Sequence, residues 1–317
     1  MGKLSIYLLS LASLFFCSCA YKLSSYEEYV VGSPACKAPR TKGEVSVTYL
    51  GTSGYLIESG KTAIAVDPFF SRHDLRTVLL NGPIPPKPDV IASSVKKAAF
   101  PDSIDGWLVT HAHFDHALDI PCLQRQFGGK TYSSETGRAL FKACGVPART
   151  VKATTAGKCF RIGDAKVSVL EATHDRLVGM VVPYPGELEG DIPAPTRPKD
   201  WKVGEPLAYL IEIGGKKIYI ESGGMGNSMP SEKAKGVDLA IMGVAVADSQ
   251  YRYPKAVQFL CPKYVMPTHQ DNFFEPLESG FQFASTANFP KILAHHQACE
   301  VPGKLALMEF FHEWVLP

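Results

Sequence analysis

Short runs in which apolar and polar positions alternate dominate the first part of the chain. Residues 44–50 (EVSVTYL) alternate with period two, Gly51-Thr52-Ser53-Gly54 makes a turn, and 55–58 resumes. A second turn, Ser59-Gly60-Lys61, leads to 62–66, which closes at Asp67-Pro68. Alternation broken by glycine-containing turns predicts an antiparallel meander. Residues 70–100 carry Pro83, Pro85, Pro86 and Pro88 and are expected as an irregular surface excursion.

Further on, the pattern changes period. A buried strand is expected at 106–110, then a helix over 117–127 ended by Gly128-Gly129, and a helix over 135–143 stopped by Gly145 and Pro147. Strands are expected at 158–161 and 166–172. A Pro/Gly-rich insertion over 182–202 follows, read either as a lid over a pocket or as a plain surface loop. Residues 207–213 and 216–221 predict a hairpin about Gly214-Gly215. An apolar strand at 239–246, a helix at 254–260, a strand at 264–266, a helix near 290–296 and a strand near 304–311 complete the chain. The order strand–strand, then strand–helix, given twice, predicts an α/β fold with two mixed sheets between helices. No period of 20–50 residues recurs, which excludes a solenoid.

Composition changes this picture little. At 317 residues, 45% hydrophobic and 20% charged, the chain has enough apolar residues for a full core. The formal net charge of +2 comes with no basic cluster, so nucleic acid is not expected as a partner.

The N-terminus stands apart. Lys3 precedes an apolar run over 4–16, too short to span a bilayer and flanked like a secretory signal. Ser18-Cys19-Ala20 fits signal cleavage after Ala20, and Phe16-Cys17-Ser18-Cys19 fits a bacterial lipobox that would lipidate Cys19. The organisation expected is therefore a signal (1–20), a linker (21–43) and one domain (44–317). The protein is expected to be exported to the bacterial cell envelope or periplasm, with membrane attachment only through a lipid on Cys19. The six remaining cysteines are widely spaced, and their apolar neighbours predict small buried side chains rather than a thiolate cluster.

The chemistry concentrates in His111-Ala112-His113-Phe114-Asp115-His116, directly after the strand at 106–110. Imidazole and carboxylate are ligands for first-row metals. In an extended segment His111 and His113 point to one side. A helix starting just beyond turns Asp115 and His116 toward the same cavity, so two ions about 3.5–4 Å apart can be held. His174 and His269 each end an apolar strand with the same Thr-His step. Asp67 is expected as a turn or supporting residue and not as a ligand; His73, His295, His296 and His312 have no motif around them. Phe273 and Phe274 are expected either to line the pocket or to pack. There is no Gly-x-Ser-x-Gly elbow, Walker loop or His-Glu-x-x-His helix.

This ordered set resembles the metallo-β-lactamase superfamily over nearly the whole chain from residue 44. The shorter stretches 51–57 and 66–68 look most like the branch of the ascorbate-phosphate lactonases and N-acyl-phosphatidylethanolamine phospholipases. The resemblance implies an αββα sandwich and a zinc-type centre, with manganese or iron as other occupants. His111, His113 and His174 would hold one ion, and Asp115, His116 and His269 the other. Asp115 would also orient the attacking water. The family places a bridging Asp after the strand that here reads 217–224, where this chain has Ser222 or Gly224, with Glu221 adjacent. One or two ions are thus both open. The implied activity is hydrolysis of an ester, lactone, amide or phosphodiester in a small-molecule or lipid-derived substrate. The alternative is a metal-binding protein of the same fold with weakened catalysis.

Overall fold

A computed structural model describes residues 22–38, 40–41, 43–177, 181–224, 229–246, 251–300 and 303–317. The signal at 1–20, with Cys17, Cys19 and the cleavage site at Ala20, lies outside the described residues.

The strands are Ser33–Pro34 (β1), Ser46–Gly51 (β2), Gly54–Ser59 (β3), Thr62–Val66 (β4), Gly106–Leu108 (β5), Lys130–Ser133 (β6), Val151–Ala153 (β7), Cys159–Ile162 (β8), Ala165–Glu171 (β9), Leu207–Ile213 (β10), Lys216–Glu221 (β11), Leu239–Gly243 (β12), Tyr264–Thr268 (β13), Lys304–Leu305 (β14) and His312–Val315 (β15). They form an eight-stranded sheet, β1-β15-β2-β3-β4-β5-β6-β7, and a seven-stranded sheet, β14-β13-β12-β11-β10-β9-β8. Both are mixed: β2–β3–β4 and β9–β10–β11 run antiparallel, whereas β4–β5–β6 and β11–β12–β13 run parallel. Helices Leu75–Leu79 (α1), Pro88–Lys97 (α2), Phe114–Ala117 (α3), Ile120–Phe127 (α4), Glu135–Ala143 (α5), Arg252–Leu260 (α6) and Phe289–Gln297 (α7) flank the sandwich. No helix among the described residues is long and apolar enough to cross a membrane.

Strands β4 and β12 are buried at every position, as expected of sheet centres covered on both faces. The β10–β11 turn needs both central residues at positive φ, which Gly214 (54°) and Gly215 (79°) supply.

Three expectations change. The proline-rich stretch 70–100 holds two helices. Asp74 caps α1 by accepting from the Thr77 amide at 2.9 Å, and Pro88 opens α2 where its missing N–H costs nothing. Residues 22–34, expected as linker, are docked: Leu23 is buried in a short 3-10 helix, and β1 pairs with β15 on the sheet edge. The cysteines are less buried than their neighbours suggested, with Cys36, Cys159 and Cys261 exposed and only Cys299 buried.

Candidate metal centre

The site lies where strands of both sheets end. After β5 the chain stays extended through Val109 and Thr110, whose amide donates to Asp67 Oδ1 at 2.8 Å. His111 and His113 follow. His113 then begins α3 with φ −64° and ψ 155°, and Asp115 and His116 lie within that turn. His174 comes three residues after β9. His269 follows β13 directly, at φ 59°, with its amide donating to the Thr52 carbonyl at 2.7 Å.

The six residues fall into two groups, His111–His113–His174 and Asp115–His116–His269, with ligand atoms in each within 4.8 Å of one another. The first is close to an equilateral triangle of imidazoles. Ring centroids are 4.8 Å (His111–His113), 4.7 Å (His111–His174) and 4.7 Å (His113–His174) apart, and the rings stand nearly perpendicular. In the second group Asp115 Oδ2 lies 3.1 Å from His269 Nε2 and 3.7 Å from His116 Nε2. The groups adjoin, since the His111 and His116 centroids are 3.9 Å apart.

Three bonds turn the rings. The Pro183 carbonyl accepts from His113 Nε2 at 2.8 Å, the Asp175 carbonyl from His174 Nδ1 at 2.7 Å, and Asp67 Oδ2 from His116 Nδ1 at 2.9 Å. Each engages one ring nitrogen and leaves the other free toward the cluster, as outer partners of metal-bound histidines do. His111 Nε2, His116 Nε2 and His269 Nδ1 are buried without a hydrogen-bond partner. Buried polar atoms left this way are costly. A cation in the cluster would take up the lone pairs of His111 Nε2 and His116 Nε2, so the residues fit a metal.

Electrostatics agrees. Burial and the neighbouring histidines hold His111 well below its ordinary pKa, His113 at about 3, and His174 lowered, so these rings are neutral donors near neutral pH. Burial works to raise the Asp115 pKa, but the charge of His116, the hydrogen bond and charge of His269 and the charge of His113 outweigh it and keep it below the ordinary carboxylate range.

Asp67 has the supporting place expected. Its φ is 41° and its carboxylate also accepts from the Thr110 and Ser222 hydroxyls, the latter at 3.0 Å. Ser222 thus sits in the cluster of Asp67, Thr110 and His116, whereas Glu221 belongs to neither ligand group and accepts the Tyr219 phenol at 2.8 Å. His73, His295 and His296 are buried elsewhere. The insertion over 182–202 meets the site through Pro183 and Tyr184. Phe273 does so too, with its ring 5.1 Å from His269. Sequence reasoning missed the Thr110 hydroxyl and the Pro183 carbonyl; a backbone acceptor 70 residues from its histidine leaves no sequence signal.

Residues 46–269 match the family model described as a beta-lactamase superfamily domain, a span that holds all six residues. The chain belongs to the metallo-β-lactamase superfamily of hydrolases. Among superfamily relatives, a UPF0173 metal-dependent hydrolase of Myxococcus xanthus is 27% identical over 266 residues, 81% of this chain and 82% of that one. A UPF0173 metal-dependent hydrolase of Thermus thermophilus is 26% identical over 258 residues, 79% of this chain and 95% of that one. Among solved structures, the metallo hydrolase Igni18 of Ignicoccus hospitalis shares the superfamily fold, with a TM-score of 0.53 at 19% identity, covering 86% of this chain and 99% of that one.

Proposed function

We propose that this protein is a zinc-dependent hydrolase of a small-molecule or lipid-derived ester, lactone, amide or phosphodiester. In this reading His111, His113 and His174 hold one ion, and Asp115, His116 and His269 hold a second. The observation that carries it is the pair of adjoining three-donor groups, in which His111 Nε2 and His116 Nε2 are buried and unpartnered. The similarity to relatives named metal-dependent hydrolases supports the same reaction class. Bound there, a divalent ion supplies a water of pKa near 7 and an electrophile for a carbonyl or phosphoryl oxygen.

The chain's own residues do the rest. Asp115 stays ionised and, besides binding, orients the attacking water through a carboxylate oxygen. Asp67 fixes His116 through Nδ1, and the Pro183 carbonyl fixes His113 through Nε2. The exported, Cys19-lipidated location is part of the same proposal and places the substrate in the cell envelope. Nucleic acid has no place in it.

The test is elemental analysis of zinc-reconstituted protein, wild type and His113→Ala, with turnover of p-nitrophenyl butyrate, γ-butyrolactone and bis(p-nitrophenyl) phosphate. The expected result is bound zinc, one or two equivalents, with turnover of at least one probe that His113→Ala abolishes. No retained metal, or undiminished turnover in the variant, overturns the reading. Metal without turnover of any probe favours the binding protein of the same fold.

A further inference from the structure

Tyr184 is held over the cluster by its backbone on both sides. The carbonyl before it, on Pro183, accepts from His113 Nε2 at 2.8 Å, and its own carbonyl accepts from the Val203 amide at 3.1 Å. Val203 in turn gives its carbonyl to the amide of Ala112, between the two histidines of the motif, at 3.0 Å. The insertion is therefore fastened to the metal-ligand segment at two points, His113 and Ala112, and the Tyr184–Val203 bond closes it on itself. At Tyr184 the φ is 40°, a conformation that bulky L residues rarely adopt and that persists where the surroundings fix it.

The ring is placed accordingly. Its centroid is 6.1 Å from that of His113 and 6.5 Å from that of Phe114, each edge to face. It is half-buried, so one side remains open. Its hydroxyl has no hydrogen-bond partner among the described residues. A phenol with an ordinary pKa of about 10 is protonated at neutral pH and able to donate.

We infer that Tyr184 is a substrate-contacting residue whose phenol donates a hydrogen bond to the substrate oxygen on which negative charge builds during hydrolysis. The phenol keeps its proton throughout, and no covalent bond to it forms or breaks. A donor aimed at charge that appears in the transition state raises kcat more than it lowers KM. The inference rests on the hydrolase reading above for its kinetic part only.

The test uses the full zinc-loaded protein as wild type, Tyr184→Phe and Tyr184→Ala. Phe keeps the ring against His113 and removes only the hydroxyl, so a packing role would be rescued by it. Three quantities are measured: metal content, kcat and KM on p-nitrophenyl butyrate, and calorimetric affinity for two ligands. These are the monoethyl ester of propylphosphonate, which mimics the tetrahedral state, and butyrate. For Tyr184→Phe the expected result is unchanged metal content and a kcat lower by about 10–100-fold. KM should be nearly constant, and affinity should be lost for the phosphonate but not for butyrate. Equal phosphonate affinity in wild type and Tyr184→Phe overturns the inference, as does a loss of metal in Tyr184→Phe or a failure of wild type to bind the phosphonate. Absence of turnover in wild type with this ester and with the lactone and phosphodiester probes as well would sink the hydrolase reading, and the phosphonate comparison would still decide whether the Tyr184 phenol contacts a bound tetrahedral anion.

Discussion

Asp67 Oδ2 lies 2.9 Å from His116 Nδ1, and both residues are fully buried. The same carboxylate accepts the Thr110 amide through its other oxygen and the Ser222 hydroxyl at 3.0 Å. One side chain at the end of β4 therefore sets the ring of a ligand on α3, the backbone before the histidine motif, and the start of the loop after β11.

Replacing Asp67 by Asn keeps the shape but puts an amide N–H where one acceptor stood. One of the bonds from Thr110, Ser222 or His116 is then lost. Metal affinity is expected to fall about 10–100-fold, as for other outer-shell partners of histidine ligands. Competition with a chromophoric chelator measures this, and unchanged affinity would remove Asp67 from the metal's support.

The other rim is tied by a buried ion pair. Arg72 Nη2 lies 2.5 Å from Asp271 Oδ2, joining the loop after β4 to the loop that follows His269. Asp271 also accepts from the Tyr49 phenol (2.8 Å) and the Thr52 amide (3.0 Å). Breaking a buried pair by deleting one partner costs about 3–5 kcal/mol, because a charge is left uncompensated. Arg72→Met is expected to lower stability by about this amount in urea unfolding; a loss below about 1 kcal/mol would mean that Tyr49 and Thr52 alone satisfy Asp271.

Glu221 gives a pH signature. Burial pushes its pKa up to about 7; the Tyr219 hydrogen bond and Arg252 act against this, and Asp175 adds to it. The folded value is above the unfolded one of about 4.3, so the favourable contribution is full below pH about 4 and is lost as pH rises through about 7. Glu221→Gln retains an oxygen for Tyr219 and carries no charge. It is expected to gain roughly 3–4 kcal/mol over wild type above pH 7 and nothing at pH 4. Thermal unfolding of both proteins from pH 4 to pH 8 checks this, and parallel curves would refute it.

The thiols should divide by exposure. Cys36, Cys159 and Cys261 are exposed, whereas burial pushes the Cys144 thiol up to about 11 and raises Cys299. Since the thiolate is the reactive form, brief iodoacetamide treatment at pH 8 is expected to label the first three and spare Cys144 and Cys299. Peptide mapping by mass spectrometry reads the result.

Much of the fold was legible where local pattern and burial agree. Strands β2, β3 and β4, the hairpin β10–β11 and helix α5 follow from periodicity and turn residues. All six residues of the two ligand groups were read from the histidine motif and the repeated strand–Thr-His ending. What escaped was short or non-local. Strands β6 and β7 have four and three residues, too few to show a period. Helix α2 was hidden by the prolines before it, although Pro88 marks its start. The contact of Ser222 with Asp67 spans 155 residues, and only the sheet-to-sheet packing brings it about.

The docked N-terminal segment has a consequence for geometry. Lys22 bridges to Gln282, whose carbonyl accepts the Asn272 amide at 2.7 Å, three residues beyond His269. The segment's start is therefore fastened on the side of the sandwich that carries the histidines. Two residues, Ala20 and Tyr21, separate the proposed lipid on Cys19 from this anchorage, a leash of about 10 Å at full stretch. So short a leash would act less as a tether than as a mount. The enzyme would work with its histidine-bearing rim close to the bilayer surface, drawing substrate from there rather than from open solution.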